Sequence, residues 1–230
     1  AELIPDGATL QIGYGSIPDA IVQQLTHKHD LGVHTEMFGN GLLDLIESGA
    51  VTNERKSLHT GQTVLTFAMG SLRLYEYLHR NPKMLILPVD LVNDPYLAGQ
   101  NDLLHSINGS LQIDLIGQCG SESLGSVPYS GTGGQTDFVR AANRSRGGKS
   151  FIVLPSTAKG GTISRIVPVL APGTHVTTPK NDTDLVVTEF GVARLRGKNL
   201  NQRARELIAI AHPDFRDELL HAATALNLVY

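Results

Sequence analysis

The chain has 230 residues, of which 41% are hydrophobic and 5% aromatic, and its formal net charge is −3. This length is enough for one large or two small domains with a sizeable core. The 19 basic and 22 acidic residues include no basic block, which argues against nucleic-acid binding. Because no apolar run approaches ~18 residues, no membrane span is predicted.

The single cysteine, Cys119, has no second cysteine with which to form a disulfide within the chain. This favours a reducing, cytoplasmic location. The sequence shows no signal-peptide pattern and does not begin with Met, and "AELIPDGATL" resembles a linker leading into a domain. We therefore expect the chain to be part of a longer protein.

The first half of the chain alternates strand and helix patterns. Helix 17–25 has Pro18 near its first turn, Gly49 ends the second helix, and Ser71 is the expected N-cap of the third. The predicted strands cover 8–13, 31–34, 63–69 and 84–88, and the predicted helices cover 17–25, 42–49 and 71–80. This alternation predicts an open, mostly parallel, doubly wound α/β sheet whose ligands bind in loops at the carboxyl ends of the strands.

The second half interrupts the alternation, so the sheet is expected to be mixed. Residues 102–116 are predicted to form a hairpin, or two short strands, around the turn pair Asn108-Gly109. The remaining predicted elements are a helix over 137–145, strands over 150–155, 163–168 and 184–190, and closing helices over 201–211 and 214–226.

The first candidate loop is "QIGYGS", residues 11–16, between a predicted strand and a predicted helix. Gly13 and Gly15 would let a ligand approach the backbone and the N–H groups of the helix. An ordinary tight turn explains the glycines equally well, because the third glycine of the dinucleotide fingerprint is missing.

The second candidate is Glu36 in "LGVHTEMFGNG", a lone acid between apolar residues and glycines. A carboxylate at the end of a strand can be a nucleophile, a general base, a metal ligand or a helix-capping group. Glu36 could also cap the helix that follows Gly41, or point into water.

Two further loops are rich in glycine. Residues 127–139 place Gly131, Gly133 and Gly134 before a helix, which suits an anion or a carbonyl oxygen. A mobile surface loop is the alternative, disfavoured because Tyr129, Phe138 and Val139 would anchor its ends. Residues 156–168 contain Lys159 in a basic turn that could lie near a phosphate or simply be solvated.

Metal and serine-nucleophile sites are not predicted. His27 and His29 lie in a polar loop without a third ligand nearby, and the chain has no H-E-x-x-H or G-x-S-x-G motif.

Taken together and in this order, the loops resemble the acetyl-CoA hydrolase/transferase family, in its 4-hydroxybutyrate and butyrate:acetate CoA-transferase branch within the family I CoA-transferases. The matching segments are "LIPDGATLQIGYGSIPDAI", "LGVHTEMFGNGLLDLIESGAVTN", "INGSLQIDLIGQ", "PYSGTGGQTDFVRAA", "LPSTAKGGTISRIVP" and "VVTEFGVARLRGK". Family members are roughly twice as long. The chain resembles their C-terminal half, so residues 1–230 are expected to be one catalytic domain without the family's N-terminal half.

The resemblance implies a role for each loop. Glu36 matches the family's catalytic glutamate, which forms an acyl-glutamyl anhydride and then a glutamyl-CoA thioester. The residues that match CoA- or substrate-contacting positions are Gln11, Ile12, Gly13, Tyr14, Gly15, Asn108, Leu111, Gly133, Gly134 and Lys159. The implied fold is the open α/β architecture shared by CoA-transferases and sugar-phosphate isomerases.

The implied reaction is transfer of CoA from a short-chain acyl-CoA to a carboxylic acid, with CoA thioesters as substrates and no permanently bound metal or other cofactor. The expected partners are these small molecules and the N-terminal half, and homo-oligomerisation is left open. Departures from the family pattern at Tyr14, Ser16, Ala141 and residues 39–40 leave the acyl-chain preference open. Acyl-CoA hydrolysis is the rival reaction, and a non-catalytic binding module is the rival of another class.

Overall fold

The computed structural model describes residues 1–229. Its helices are α1 Ser16–Gln23, α2 Asn40–Glu47, α3 Leu72–Leu78, α4 Val89–Val92, α5 Pro95–Ala98, α6 Gln135–Arg144, α7 Leu200–Ala209 and α8 Pro213–Ala225. In the first 110 residues the strands are β1 Thr9–Ile12, β2 Gly32–Val33, β3 Met37–Phe38, β4 Thr63–Leu65, β5 Phe67–Ala68, β6 Met84–Ile86 and β7 Leu104–Gly109.

The later strands are β8 Gln112–Asp114, β9 Cys119–Gly120, β10 Ser123–Leu124, β11 Val127–Pro128, β12 Lys149–Val153, β13 Thr157–Ala158, β14 Ile163–Ser164, β15 Ile166–Val167, β16 Leu185–Thr188 and β17 Gly191–Arg194. The chain divides into two compact units. Unit 1 contains Ala1–Asn108 and Asp137–Ser150, and unit 2 contains Gly109–Thr136 and the chain from Phe151 onward.

Unit 1 is built on parallel strands. β1 lies between β2 and β7 and is parallel to both, with Thr9 opposite Gly32 on one side and Leu104 on the other. Two further parallel pairs, β3 with β5 and β4 with β6, extend this arrangement. A cluster of buried residues packs α4, α5 and α6 onto the strands, and it contains Val64, Val92, Ala98, Leu104, Phe138, Ala141 and Ala142.

Unit 2 combines parallel and antiparallel pairs. β12 is parallel to β16, and β16 is antiparallel to β17. β8 is parallel to β15 and antiparallel to β9, while β13 and β14 form a short antiparallel hairpin. The expected mixed, mostly parallel α/β fold is therefore confirmed, and β17 is an antiparallel strand that the sequence did not predict.

Most predicted elements are present, with two strands divided. The strand predicted over 63–69 is β4 followed by β5, and that over 163–168 is β14 followed by β15. Residues 102–116 form two short strands, β7 and β8, as one interpretation predicted. The hairpin interpretation is wrong, because β7 pairs with β1 whereas β8 pairs with β9 and β15, and Asn108-Gly109 belongs to β7. Pairing with a buried neighbouring strand outweighs the turn preference of Asn-Gly here. In residues 1–229, no helix is both long and apolar enough to cross a membrane.

Candidate active site

Glu36 lies at the carboxyl-end edge of the parallel strands of unit 1, between β2 and β3. The Glu36 carbonyl oxygen accepts hydrogen bonds from the backbone N–H groups of Thr66 and Phe67 at 2.9 and 3.1 Å. The backbone of the acid is therefore tied to the segment that joins β4 to β5. This is the edge at which ligands bind in parallel α/β sheets.

Thr35 ties the same segment to the glycine turn after β1. Its hydroxyl oxygen accepts the Ile12 N–H at 3.3 Å, and its proton can go to the Ile12 carbonyl at 3.2 Å or the Met37 carbonyl at 3.1 Å. Thr35 is fully buried. The structure thus brings Glu36 beside Ile12, two of the residues singled out from the sequence.

The half-buried Glu36 carboxylate accepts a hydrogen bond from an asparagine that is distant in sequence. Asn93 Nδ2 lies 2.8 Å from Glu36 Oε2, and the Asn93 side chain is nearly buried. Asn93 follows the last residue of α4, and the next residue, Asp94, caps α5 through the N–H groups of Tyr96 and Leu97. Two short helices therefore place this donor.

The helix-capping interpretation of Glu36 is wrong. Helix α2 begins at Asn40, its N-cap is Gly39, and no side chain caps it. The Glu36 carboxylate is hydrogen-bonded to Asn93 instead.

Other acids share the surroundings of Glu36. Burial raises the pKa of Asp137, in the first turn of α6, and the Arg140 guanidinium opposes that rise. The charges of Glu36 and Asp94 raise the Asp137 pKa further. The negative charge of Glu36 thus contributes to the raised pKa of a second, half-buried acid.

The glycine turn after β1 is built around a pair of side-chain amides. Gln11 Nε2 donates to Asn108 Oδ1 at 3.1 Å, and Asn108 Nδ2 donates to Gln11 Oε1 at 2.8 Å. A Cβ on Gly13 would lie 2.5 Å from Asn108 Oδ1, closer than real contacts allow. A side chain at this position would require the Asn108 amide to move. Gly15 has φ 141° and precedes α1, while the Tyr14 side chain is 75% exposed.

In unit 2, Arg165 connects two of the predicted CoA-contacting segments. Its guanidinium donates to the Leu111 carbonyl at 3.0 Å and to the Thr157 carbonyl, at the base of the β13–β14 hairpin, at 3.3 Å. Lys159 is exposed in the turn of that hairpin and has φ 49°. The structure thus shows a hairpin with Lys159 in its turn, and both the phosphate-binding and the solvated-turn interpretations stay open.

The glycine-rich segment before α6 is largely exposed. A Cβ on Gly131 or Gly133 would meet nothing within 4 Å, whereas Gly134 is buried. Phe138 and Val139 are buried as expected, but Tyr129 is 69% exposed and does not anchor the segment. Glu122 holds it instead, because its carbonyl accepts the Tyr129 N–H at 2.7 Å and its carboxylate accepts the Thr132 hydroxyl at 2.7 Å.

The described part of the chain contains no group of three His, Cys, Asp or Glu residues placed to hold a metal ion. The residue beside Glu36 that the sequence did not predict is Asn93. Its only local signal is the Asn-Asp-Pro sequence, typical of a helix start, and its partner Glu36 is 57 positions away.

The model of the acetyl-CoA hydrolase/transferase C-terminal domain matches residues 70–223. A succinyl-CoA:cyclohexane-1-carboxylate CoA transferase of Geobacter metallireducens is 59% identical over all of this chain and 52% of its own length. A 4-hydroxybutyrate coenzyme A transferase of Clostridium kluyveri is 51% identical over 96% of this chain and 52% of its own. The crystal structure of RipA from Yersinia pestis has TM-score 0.95 and 51% identity over 99% of this chain and 51% of its own.

The chain spans about half the length of these relatives. A protein named acetyl-CoA hydrolase, from Yarrowia lipolytica, is 33% identical over 92% of this chain. The two relatives from Geobacter metallireducens and Clostridium kluyveri, which are more similar to this chain than that hydrolase is, are named CoA transferases.

Proposed function

Because the chain belongs to the acetyl-CoA hydrolase/transferase family, we propose that it carries the nucleophile of an enzyme that transfers CoA between a short-chain acyl-CoA and a carboxylic acid such as acetate, butyrate or 4-hydroxybutyrate. The observation that carries this proposal is the Glu36 carboxylate held by Asn93 Nδ2 at 2.8 Å beside a strand-end glycine turn. An oriented, half-buried carboxylate at this edge suits covalent catalysis.

The reaction begins with attack of Glu36 on the thioester carbonyl. The C–S bond breaks, CoA leaves as the thiolate, and an acyl-glutamyl anhydride forms. The thiolate then attacks Cδ of Glu36, the bond from Cδ to the bridging oxygen breaks, and the first carboxylate leaves. A second carboxylate reverses both steps and takes CoA away as its own thioester.

Asn93 has a defined role in this sequence. Asn93 donates to Oε2, and in the proposed step Oε1 is the attacking atom, which becomes the bridging oxygen of the anhydride. Oε2 then remains on the enzyme as the carbonyl oxygen that gains negative charge when the thiolate attacks. A donor already aimed at that atom stabilises the charge without reorganisation, which is typically worth about 3–4 kcal/mol.

The resemblance implies CoA-contacting roles for residues in each unit. In unit 1 these are the β1 turn, Gln11 to Gly15, and Asn108, whose amide pair shapes that turn. In unit 2 they are Leu111, Gly133, Gly134 and Lys159. Binding energy from the nucleotide and pantetheine, remote from the reacting bond, is then available to raise the rate.

The decisive test is to trap the thioester. The enzyme carrying both family halves is incubated with acetyl-CoA, treated with borohydride, digested and analysed by mass spectrometry. We expect the peptide containing Glu36 to carry an alcohol in place of the carboxylate, and the Glu36→Ala variant to show no such product. Full transfer activity in Glu36→Ala would contradict the mechanism.

Hydrolysis is the second candidate reaction, since the family's name includes it and water can replace the second carboxylate. Comparing CoA release from acyl-CoA with and without acetate separates the two reactions. Release that does not depend on acetate would favour the hydrolase. A non-catalytic binding module, the candidate of another class, would give neither transfer nor a trapped thioester.

The other half of the family chain is the expected partner. Ligand sites favour domain interfaces, and a crevice open on one side would leave Glu36 more hydrated. Segment 67–75 of unit 1 exposes Phe67, Met69, Leu72 and Tyr75 at 45%, 48%, 71% and 46%. We expect these 230 residues alone to self-associate and to transfer CoA far more slowly than the two-half chain. Equal rates at equal concentration would contradict this.

The remaining expectations are a cytoplasmic location, residues 1–230 as one catalytic domain, and chemistry that needs no permanently bound cofactor. The location is supported by the single, buried Cys119, whose thiol pKa burial raises to about 12. Burial of this kind makes a thiol poorly reactive.

A further inference from the structure

His34, two residues before Glu36, is a buried side chain to which the reaction assigns no role. Its exposure is 3%, and the edge of its ring meets the Phe138 ring with centroids 6.3 Å apart. Its Nε2 lies 2.8 Å from the Val92 carbonyl oxygen, and its Nδ1 lies 3.4 Å from Asn101 Nδ2. A buried imidazole with a partner on each nitrogen is fixed in both position and orientation.

The partners also fix where the ring proton lies. Asn101 Oδ1 accepts the Leu58 N–H at 3.1 Å, so its NH₂ group is the end that faces His34. An amide donor at Nδ1 requires a lone pair there, and a carbonyl at Nε2 requires a proton there. The ring is therefore neutral with its proton on Nε2. Burial agrees with this, because it lowers the pKa of His34 to about 4.

The Val92 carbonyl belongs to the peptide that joins Val92 to Asn93, the residue that donates to Glu36. Val92 ends α4, and Asn93 follows it with helical φ and ψ of −89° and −4°. The backbone from His34 to Glu36, the Asn93–Glu36 bond and the Val92–His34 bond close a ring. Within this ring, the His34 N–H is bonded to the peptide that precedes Asn93, whose side chain reaches the Glu36 carboxylate.

We propose that His34 is a positioning residue for CoA transfer: its neutral Nε2–H holds the Val92 carbonyl and thereby places the Asn93 amide on Glu36. This inference rests on the proposed function. It extends the functional set beyond Asn93 to a residue whose ring is bonded to Val92 and Asn101. Because a displacement near 1 Å can cost about 10²-fold in rate, a small shift of this peptide is enough to matter.

The test uses two substitutions of the same ring in the enzyme carrying both family halves. In His34→Gln the side-chain amide reaches the place of Nε2 and can still donate to Val92. In His34→Asn the amide reaches only the place of Nδ1, so the Val92 carbonyl loses its donor. We expect kcat to fall about tenfold or more in His34→Asn and to recover substantially in His34→Gln, with KM for acyl-CoA little changed in both.

The matched control is His105, another buried histidine of unit 1, on β7, whose Nδ1 lies 2.7 Å from the Leu103 carbonyl. His105→Asn removes the same ring from the same unit without touching Val92. We expect it to lower the melting temperature and leave kcat within about twofold of the parent. An equal loss of kcat in His34→Asn and His105→Asn would overturn the proposal.

A double-mutant cycle with Asn93→Ala separates positioning from general loss of structure. If His34 acts through Asn93, His34→Asn and His34→Gln should each lower the rate no further once Asn93 is alanine. Additive losses would overturn the proposal, as would full activity in His34→Asn while Glu36→Ala is inactive. Full activity in Glu36→Ala would instead refute the proposed function itself, so the two failures are distinguishable.

Discussion

The surroundings of Glu36 in unit 1 and the glycine-rich segment of unit 2 differ in how they are held. Around Glu36, the carbonyl, the neighbouring hydroxyl of Thr35 and the carboxylate each have hydrogen-bond partners within the unit. In the unit 2 segment, Gly131 and Gly133 face open space and Tyr129 is largely exposed. The segment is fixed through Glu122 at only part of its length.

This difference matches the demands of the two tasks. Bond formation by a carboxylate requires reacting atoms placed to within a fraction of an ångström, which buried hydrogen bonds supply. A long ligand such as CoA can order an exposed loop when it binds, at a cost in loop entropy. Substitutions that break the hydrogen bonds around Glu36 should therefore lower kcat. Substitutions in the exposed segment should change kcat little unless the side chain contacts the ligand.

The largest effect is expected at the nucleophile. Glu36→Ala removes the atom that forms the covalent intermediate, and we expect transfer to fall by roughly 10⁴-fold or more. Glu36→Asp retracts the carboxylate from Asn93 by about one methylene, which should cost about 10²-fold. The measurement is the steady-state rate of acetate-dependent CoA transfer. A rate within tenfold of the parent in Glu36→Ala would show that the surroundings of Glu36 are no more important for transfer than the glycine-rich segment of unit 2.

The next effect is expected at the donor to the carboxylate. Asn93→Ala removes the amide from Glu36 Oε2, and we expect kcat to fall by about 10²–10³-fold, as for loss of an oxyanion donor. The control is Asn81→Ala, which removes an asparagine of the same unit that bonds to the Tyr77 carbonyl at 3.1 Å. Similar kcat values for the two variants would show that Asn93 is only structural.

A pair of glycines tests the comparison directly. Gly13→Ala places a Cβ 2.5 Å from Asn108 Oδ1 and must displace the Asn108 amide that pairs with Gln11, whereas Gly131→Ala adds a methyl group in open space. We expect Gly13→Ala to lower kcat/KM for acyl-CoA about tenfold or more and Gly131→Ala to change it less than about threefold. The reverse order would show that the exposed segment, and not the β1 turn, sets the reaction geometry.

Local pattern and resemblance identified different parts of this structure. Strand β1, helix α2 and the β13–β14 turn follow from hydrophobic periodicity and glycine positions, so the sequence predicts them. Asn93 could not be predicted, because its role depends on a contact 57 positions away that only the packed fold creates. The turn predicted at Asn108-Gly109 is wrong for a related reason, because burial of β7 beside β1 outweighs a local turn preference.

Glu36 itself illustrates both limits. Spacing left nucleophile, base, ligand and cap as alternatives, and the resemblance selected the nucleophile. The structure then excluded the cap, because α2 starts at Asn40 without a side-chain cap. The resemblance supplied the chemical role of Glu36, and the structure supplied the hydrogen bond that places its carboxylate.

The smallest effect is expected in stability, at Lys56, a buried lysine of unit 1 that is bonded to strand β2. Lys56 is 4% exposed, and its Nζ donates to the Val33 and Gln62 carbonyls at 2.9 and 2.6 Å. Burial lowers the Lys56 pKa to about 7. In the unfolded chain the lysine keeps its proton up to its ordinary pKa near 10.5, so between these values folding releases a proton.

Stability should consequently rise with pH above 7 by at most about 1.4 kcal/mol per pH unit. A rise of 1 kcal/mol corresponds to about 2–4 °C in melting temperature for a chain of this size. Thermal unfolding at pH 7, 8 and 9 measures it, with Lys56→Met as the variant and the exposed Lys83→Met as the control. The parent and Lys83→Met should gain stability relative to Lys56→Met as pH rises. Parallel plots of melting temperature against pH for all three proteins would show that Lys56 keeps its ordinary pKa and stays charged in the folded protein.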